Sequence, residues 1–316
     1  MQERTYQIQP YDAGTDAASV FTLWQTTVGR EWPIDFQRFQ QILSAPNAQH
    51  FVAKENGQVI GFVATAQSQS WETQMGHLLV LLVAPAWQRK GLGSALHEVA
   101  LRHLRETGAQ LIQLGGLVPR FWCGVPGNLE AAQVFFRARG WEFSGIVYDL
   151  VQDLSQYTTP PAIYQRMADQ QITLAEGTQA DVPEVLAFEE REFASWLPHY
   201  KRLAQLGDYQ DFLIARDYDG SVVGTLLMYT PRSHAERTDV IWCVLLGYDA
   251  GAMGAVGVAP SAQGRGIGIA LVAVASDVLK ARGIKNCYID WVELTDFYAK
   301  LGYAKWRSFA TSKRQI

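Results

Sequence analysis

A long-period repeat constrains this chain more than any other feature. Residues 83–96 (VAPAWQRKGLGSAL) align with residues 258–271 (VAPSAQGRGIGIAL) at an offset of 175, with eight of fourteen positions identical. The same offset carries Gly108 onto Gly283. Upstream, FVAKENGQVIGFV (51–63) resembles LIARDYDGSVVGTL (213–226), each with a turn glycine (Gly57, Gly220) and a second glycine four residues on (Gly61, Gly224). Downstream, FFRARGW (135–141) matches FYAKLGY (297–303). Three blocks recurring in one order define a duplicated domain, since the period is far longer than a solenoid unit. A chain of 316 residues has room for two ordinary domains. The sequence divides into an N-terminal domain, 1–153, a linker, 154–170, and a C-terminal domain, 171–316. The stretch QDLSQYTTPPAIYQRMADQ (152–170) has no clean period, and Pro160 and Pro161 suggest an extended connector there.

A hydrophobic content of 48% against 18% charged residues is enough for packed cores. The formal net charge of −4, with no long Lys/Arg run, argues against nucleic acid as a partner. Cys123, Cys243 and Cys287 are widely spaced and odd in number, which argues against a disulfide framework and for a reducing, cytoplasmic setting. The opening MQERTYQIQP has no signal-peptide hydrophobic region, and the apolar run 78–83 is far too short to span a bilayer, so no membrane partner is expected. No His, Cys or acid spacing reads as a metal site.

Periodicity predicts the same plan twice. A short strand at 6–10 leads to a helix with Thr15 or Asp16 as candidate N-cap, and 34–43 is a second helix. Residues 51–55 and 58–66 form a hairpin around Asn56-Gly57, and 75–83 a strand apolar enough for burial on both faces. Leu92, Leu96, Val99 and Leu104 share a helical face that Gly108 ends; Ile267, Leu271, Val274 and Val278 do the same before Gly283. A strand follows in each half (110–114; 286–291), then a short helix ending at Gly140 or Gly302 and a last strand. The fold class is α+β, of layered α/β plan: two domains, each a mixed, mostly antiparallel sheet flanked by helices.

The chemistry sits at the strand-to-helix glycine loops. Gln88, Arg89, Lys90, Gly91, Leu92 and Gly93 form one; Gln263, Gly264, Arg265, Gly266, Ile267 and Gly268 form the other. Glycine allows left-handed backbone and lets a ligand approach the main chain, and the first helical turn offers free N–H groups to phosphate oxygens. Arg89, Lys90 and Arg265 add charge at the rim. A tight turn that binds nothing is the rival reading, weakened by the second copy. Neither loop is G-x-G-x-x-G, since Leu96 or Leu271 takes the third place, and neither carries the G-K-[ST] of a P-loop.

Gln-x-x-Gly-x-Gly after a buried strand, with Tyr-x-x-x-Gly-aromatic further on, resembles the GCN5-related N-acetyltransferases. The resemblance covers both halves and marks a tandem member. It implies acetyl-CoA as cofactor, with pantetheine and thioester along Leu82 and Val83 and along Val256, Gly257 and Val258, and the pyrophosphate on the two loops. It implies acetyl transfer and says little about the acceptor, for which the primary amine of a small molecule is the leading expectation. The family often uses a Tyr as general acid before the last strand. Tyr298 stands at that position, whereas the matching Phe136 has no hydroxyl, so the C-terminal half is expected to be catalytic. The rival role for Tyr298 is a ring in the core. The strand 252–258 has no carboxylate, so the base lies elsewhere or is water. Asp290 and Glu293 flank the end of the next strand, and Glu189, Glu190 and Glu192 lie on the first helix of that half. Each reads as a solvated acid, with Glu189, Asp290 and Glu293 as candidates to line the amine site. His77 reads as a satisfied core residue.

The spacing Gly93 to Gly140 is 47 residues against 34 from Gly268 to Gly302, an excess of thirteen that includes VPRFWCGVPGN (118–128). That segment is a substrate cover or a patch packing the domains together. Packing is preferred for Phe121 and Trp122, because large exposed aromatics need a partner. A pseudo-dimeric pair of domains in a monomer is expected, since duplication supplies in one chain the contact that single domains obtain by pairing. The rival functions are a non-catalytic acyl-CoA-binding or sensing module and a protein or peptide N-acetyltransferase.

Overall fold

A computed structural model describes residues 6–70, 73–116 and 119–315. Its elements run β1 (Gln7–Pro10), α1 (Ala13–Thr27), α2 (Phe36–Leu43), β2 (Ala48–Glu55), β3 (Gln58–Ser70), β4 (Thr73–Val83), α3 (Leu92–Glu106), β5 (Leu111–Leu114), β6 (Val125–Pro126), α4 (Glu130–Arg137) and β7 (Gly145–Asp153). There follow α5 (Pro161–Asp169), β8 (Thr173–Glu176), α6 (Val182–Glu192), α7 (Leu197–Leu206), β9 (Phe212–Arg216), β10 (Val222–Tyr229), α8 (Cys243–Leu246) and β11 (Gly251–Val258). The chain ends with α9 (Ile267–Ala281), β12 (Asn286–Val292), α10 (Thr295–Ala299), β13 (Ala304–Thr311) and β14 (Lys313–Gln315).

The compact units are Met1–Val147 together with Ser308–Ile316, and Tyr148–Arg307. They do not follow a cut of the chain at 153 and 171. In the first unit the strand order is β1-β2-β3-β4-β5-β14, antiparallel except for β4–β5, and its last strand comes from the chain's end, with Arg314 opposite Ile112. The second sheet has the order β6-β13-β7-β12-β11-β10-β9-β8, and β7, inside it, comes from the N-terminal half of the sequence, with Leu150 opposite Ile289. In the first sheet β14 thus covers the β5 edge with a strand remote in sequence, which removes a row of unpaired backbone groups, and in the second β7 is inserted between β13 and β12.

Local signals hold where the backbone itself is demanding. Asn56 and Gly57 take φ of 49° and 81°, the pair of positive values a two-residue hairpin turn requires. The N-cap of α1 is Asp12, whose carboxylate accepts from the Gly14 N–H at 2.7 Å. Thr15 and Asp16 lie inside the helix, and Asp16 is buried against the Lys54 Nζ at 2.6 Å. The connector is not extended: α5 starts at Pro161, where a missing N–H costs nothing because first-turn donors have no helical acceptor. Phe121 and Trp122 pack inside the first unit. Trp122 stacks on Trp24 of α1 at 5.2 Å, and Phe121 lies 5.4 Å from Phe39 of α2. Val118, which opens that segment, lies outside the described residues.

Candidate active site

In both units the buried strand ends in a short turn and then the glycine loop. The loop glutamine braces that junction: Gln263 Nε2 donates to the Val258 carbonyl at 3.3 Å, and Gln88 Nε2 to the Val83 carbonyl at 3.1 Å. Gly91 and Gly266 cap their helices with φ of 86° and 87°. A Cβ on Gly91 would touch nothing within 4 Å, so backbone conformation is what requires glycine there. Gly264 has φ 77°, and its counterpart Arg89 adopts 61° although it is not glycine. The last glycine has another use. A Cβ on Gly268 would stand 3.5 Å from Phe297, and one on Gly93 3.1 Å from Phe135, so both let the aromatic of the short helix close onto the loop.

The cations are arranged differently from the sequence expectation. Arg265 is not a free rim charge: its Nη1 and Nη2 bind Asp217 at 2.5 and 3.0 Å, and its Nε donates to Gln170. That pairing holds the Asp217 carboxyl down at about 2. Arg166 of α5 takes the rim position instead. Its Nη2 donates to the Gly264 carbonyl at 2.9 Å, and its Cζ lies 2.8 Å from where a Cβ on Gly266 would be. Arg166 and Lys300 border a cleft of about 510 Å³ with Gln263, Gly266, Ile267 and Phe297. In the first unit Arg89 and Lys90 are exposed, and Lys90 Nζ sits 5.6 Å from the Trp87 ring centre. If Arg166 supplies a phosphate-binding charge, Arg166→Ala raises the Michaelis constant for acetyl-CoA roughly three- to tenfold, a modest effect because the guanidinium is exposed. A lower constant would mean that Arg166 obstructs the loop.

Leu82 is buried beside the first loop, and Val256, Gly257 and Val258 precede the second. Strands β11 and β12 pair in parallel only through Gly251–Cys287 and Ala252–Tyr288. Beyond Ala252 they part. The β10–β11 register slips between Thr225 and Leu227, and Ala255 takes φ 48° in the bulge. Tyr200 of α7, fully buried, donates to the Ala255 carbonyl at 3.1 Å and steadies it. Gly257 is crowded from one side, since a Cβ there would lie 2.5 Å from Phe193. On the other strand Trp291 has φ 53° and its N–H reaches Asp149 at 3.2 Å, an acid that also accepts from Tyr288. The parting leaves an edge of β11 with backbone groups open to a ligand. The first unit treats the equivalent place differently. Gly115 N–H extends the pairing to Leu78, Gly116 N–H bonds the Trp122 carbonyl, and a Cβ on Gly116 would lie 2.5 Å from Leu79. The thirteen-residue excess turns back on itself at Gly116 and Trp122 and pairs through β6 with Phe309 and Ala310.

Glu189 is not a solvated acid. It is 0% exposed, its Oε1 accepts from Thr225 Oγ1 at 2.5 Å, and its buried Oε2 has no hydrogen-bond partner. Burial pushes its carboxyl up to about 7, partly offset by the Thr225 hydroxyl and the nearby Tyr200 phenol. Glu190 is exposed and Glu192 half-buried against Arg191. Tyr298 is half-buried on α10, its ring edge-on to Phe297 at 5.0 Å, and among the described residues its hydroxyl makes no hydrogen bond. Burial and the neighbouring Asp290 charge push it up to about 12. Asp290 thus stands beside Tyr298, while Glu293 is exposed in the turn before α10. Phe136 is buried against Trp141. His77 is a core residue: its Nε2 lies 2.8 Å from Ser68 Oγ, and burial lowers it to about 4.

The family model described as Acetyltransferase (GNAT) family matches residues 17–141 and again 181–303. The chain belongs to this family, as a tandem member with two such domains, and is by that membership an N-acetyltransferase; the family uses acetyl-CoA as donor. Mycothiol acetyltransferase of Mycobacterium sp. (strain MCS) is 29% identical over 240 residues, which are 72% of this chain and 68% of that protein. A solved GCN5-related glucosamine N-acetyltransferase region of a fungal multi-domain GH3 β-N-acetylglucosaminidase is 38% identical, with a TM-score of 0.96 over 99% of this chain. The present chain spans 38% of that larger one. A GCN5-related N-acetyltransferase from Sphaerobacter thermophilus, 16% identical with a TM-score of 0.70 over 100% of this chain and 97% of its own, shares the fold.

Sequence reasoning passed over Arg166, Lys300, Thr225 and Tyr200. Arg166 lies in the stretch read as a connector, and Thr225 and Tyr200 carry no motif. The alternation of α6, with Val185, Phe188 and Glu189 on one buried face, was the available signal for the last acid.

Proposed function

We propose that the second unit transfers an acetyl group from acetyl-CoA to the primary amine of a small amino sugar. The observation that carries this reading is a contrast between units. The second has the glycine loop, the parted strands and a tyrosine hydroxyl together; the first has the loop, a β4–β5 pairing carried on to Leu78, and Phe136. The amino-sugar acceptor rests on the 38% identity to the glucosamine N-acetyltransferase region across nearly the whole chain.

The residues present fit the donor. Backbone N–H groups at 264–269, at a helix start, suit a pyrophosphate, with Arg166 and Lys300 at the rim. Acetyl-CoA, when bound, supplies the acetyl group as a thioester. The open edge of β11 around Val256 and Gly257 offers N–H groups to the carbonyl oxygen as charge builds on it. Tyr298 offers its hydroxyl to the sulfur. Asp290 and Glu293 stand where an ammonium or sugar hydroxyl can be held.

The test is thiol release from acetyl-CoA with a panel of acceptors: glucosamine, an aliphatic diamine, cysteine, and peptides with a free N-terminus or lysine. Glucosamine is expected to exceed the other acceptors in kcat/KM by at least about tenfold, since hydroxyl-reading sites reject analogues lacking the group strongly. A peptide as best acceptor overturns the small-molecule reading, and no turnover with any amine favours an acyl-CoA sensor.

A further inference from the structure

We propose that Glu189 is the proton acceptor for the attacking amine, working through one water between its Oε2 and the gap where β11 parts from β12. This rests on the reading of the second unit as catalytic.

The placement makes the case. Strand β11 (GAMGAVGV) has no carboxylate of its own. Glu189 approaches from α6 beneath the bulge. Its Oε1 is fixed by Thr225, the residue paired with Gly257, and the adjoining Tyr200 hydroxyl holds the Ala255 carbonyl. One carboxyl oxygen is therefore anchored next to the thioester strand while the other is buried without a partner. An orphaned buried oxygen is costly unless it is used. A structural acid would gain by having both oxygens bonded, or by being glutamine. The groups facing it are the Thr225 hydroxyl from β10, the Tyr200 phenol from α7 and main chain from β11; no charged side chain contributes to its shift. Burial raises it to about 7, where it is poised to take a proton near neutrality.

The step balances as follows. The amine lone pair forms the C–N bond to the acetyl carbon, and the C–S bond breaks with its electron pair on sulfur. The proton shed by nitrogen passes to water, and that water gives a proton to Glu189 Oε2. The thiolate leaves hydrogen-bonded to Tyr298 and takes a proton from solvent, to which Glu189 later returns its own.

The experiment uses the full chain and the best acceptor of the wild type, comparing Glu189→Gln with wild type across pH 5–9. The acceptor's own titration is common to both proteins. Glu189→Gln is expected to bind acetyl-CoA as wild type does by calorimetry. Its kcat should fall by roughly 10²- to 10⁴-fold, and it should lose the acid-side inflection near pH 7. Retention of kcat within about fivefold, or a fall in kcat with the inflection unmoved, overturns the proposal. Thr225→Val is the second variant. It deletes a hydrogen bond that lowers the group, so the inflection should move to higher pH. An unmoved inflection in folded Thr225→Val likewise overturns it. If the wild type acetylates no amine, both this and the proposed function fall; if the wild type turns over and only the Glu189 criteria fail, the proposed function stands.

Discussion

Tyr298→Phe lowers the turnover number by roughly 10²- to 10³-fold while leaving acetyl-CoA affinity nearly unchanged, the range for removing one preorganised donor. The ring is held by Phe297 and Tyr303, and phenylalanine preserves both contacts. The hydroxyl has no hydrogen bond among the described residues, so its removal orphans nothing in the resting protein. At about 12 the phenol stays protonated throughout the neutral range. Full transfer to a thiolate of ordinary basicity, about 8.5, would run uphill. The hydroxyl's contribution is therefore a hydrogen bond that strengthens as charge develops on sulfur. Such an interaction exists only in the transition state, so kcat and kcat/KM should fall together with little change in KM. Phe136→Leu is the control in the other unit and should leave turnover near wild type. A fully active Tyr298→Phe beside a folded but inactive Phe136→Leu would move catalysis to the first unit.

Gly266→Asp should weaken acetyl-CoA binding at the second unit by about 10²-fold or more. Gly266 has φ 87°, and a side chain there costs about 1–2 kcal/mol in the left-handed region. A Cβ would also meet the Arg166 guanidinium at 2.8 Å. An aspartate carboxylate then faces the phosphates and captures Arg166 as an ion pair. Losing even one charge-assisted bond to phosphate costs about 1.5–3 kcal/mol, which with strain and repulsion reaches the stated loss. Gly266→Ala keeps the strain without the charge and should be milder. Calorimetry with the Michaelis constant for acetyl-CoA reads both, since the first unit's loop is a separate candidate site. An affinity within about threefold of wild type at a demonstrated second-unit site would remove the loop from the cofactor assignment.

What the sequence determined by itself was local or repeated. The duplication, the Asn56-Gly57 hairpin, the helix stops and the two glycine loops were legible because they are demands on the backbone, and only certain residues meet them. Tertiary structure decided the rest. Arg265 and Asp217 stand 48 residues apart, and only the fold makes them partners. Glu189 and Glu190 are neighbours in sequence, yet one is sealed beneath the β11 bulge and the other lies in water. Strands β7 and β14 were credited by sequence order to the halves in which they occur, but β14 closes the β5 edge of the first unit and most of β7, from Tyr148 on, lies in the second, because a strand's backbone groups are satisfied by whichever strand reaches them. Such choices depend on sums of contacts between residues far apart in the chain, and no short window of sequence contains them.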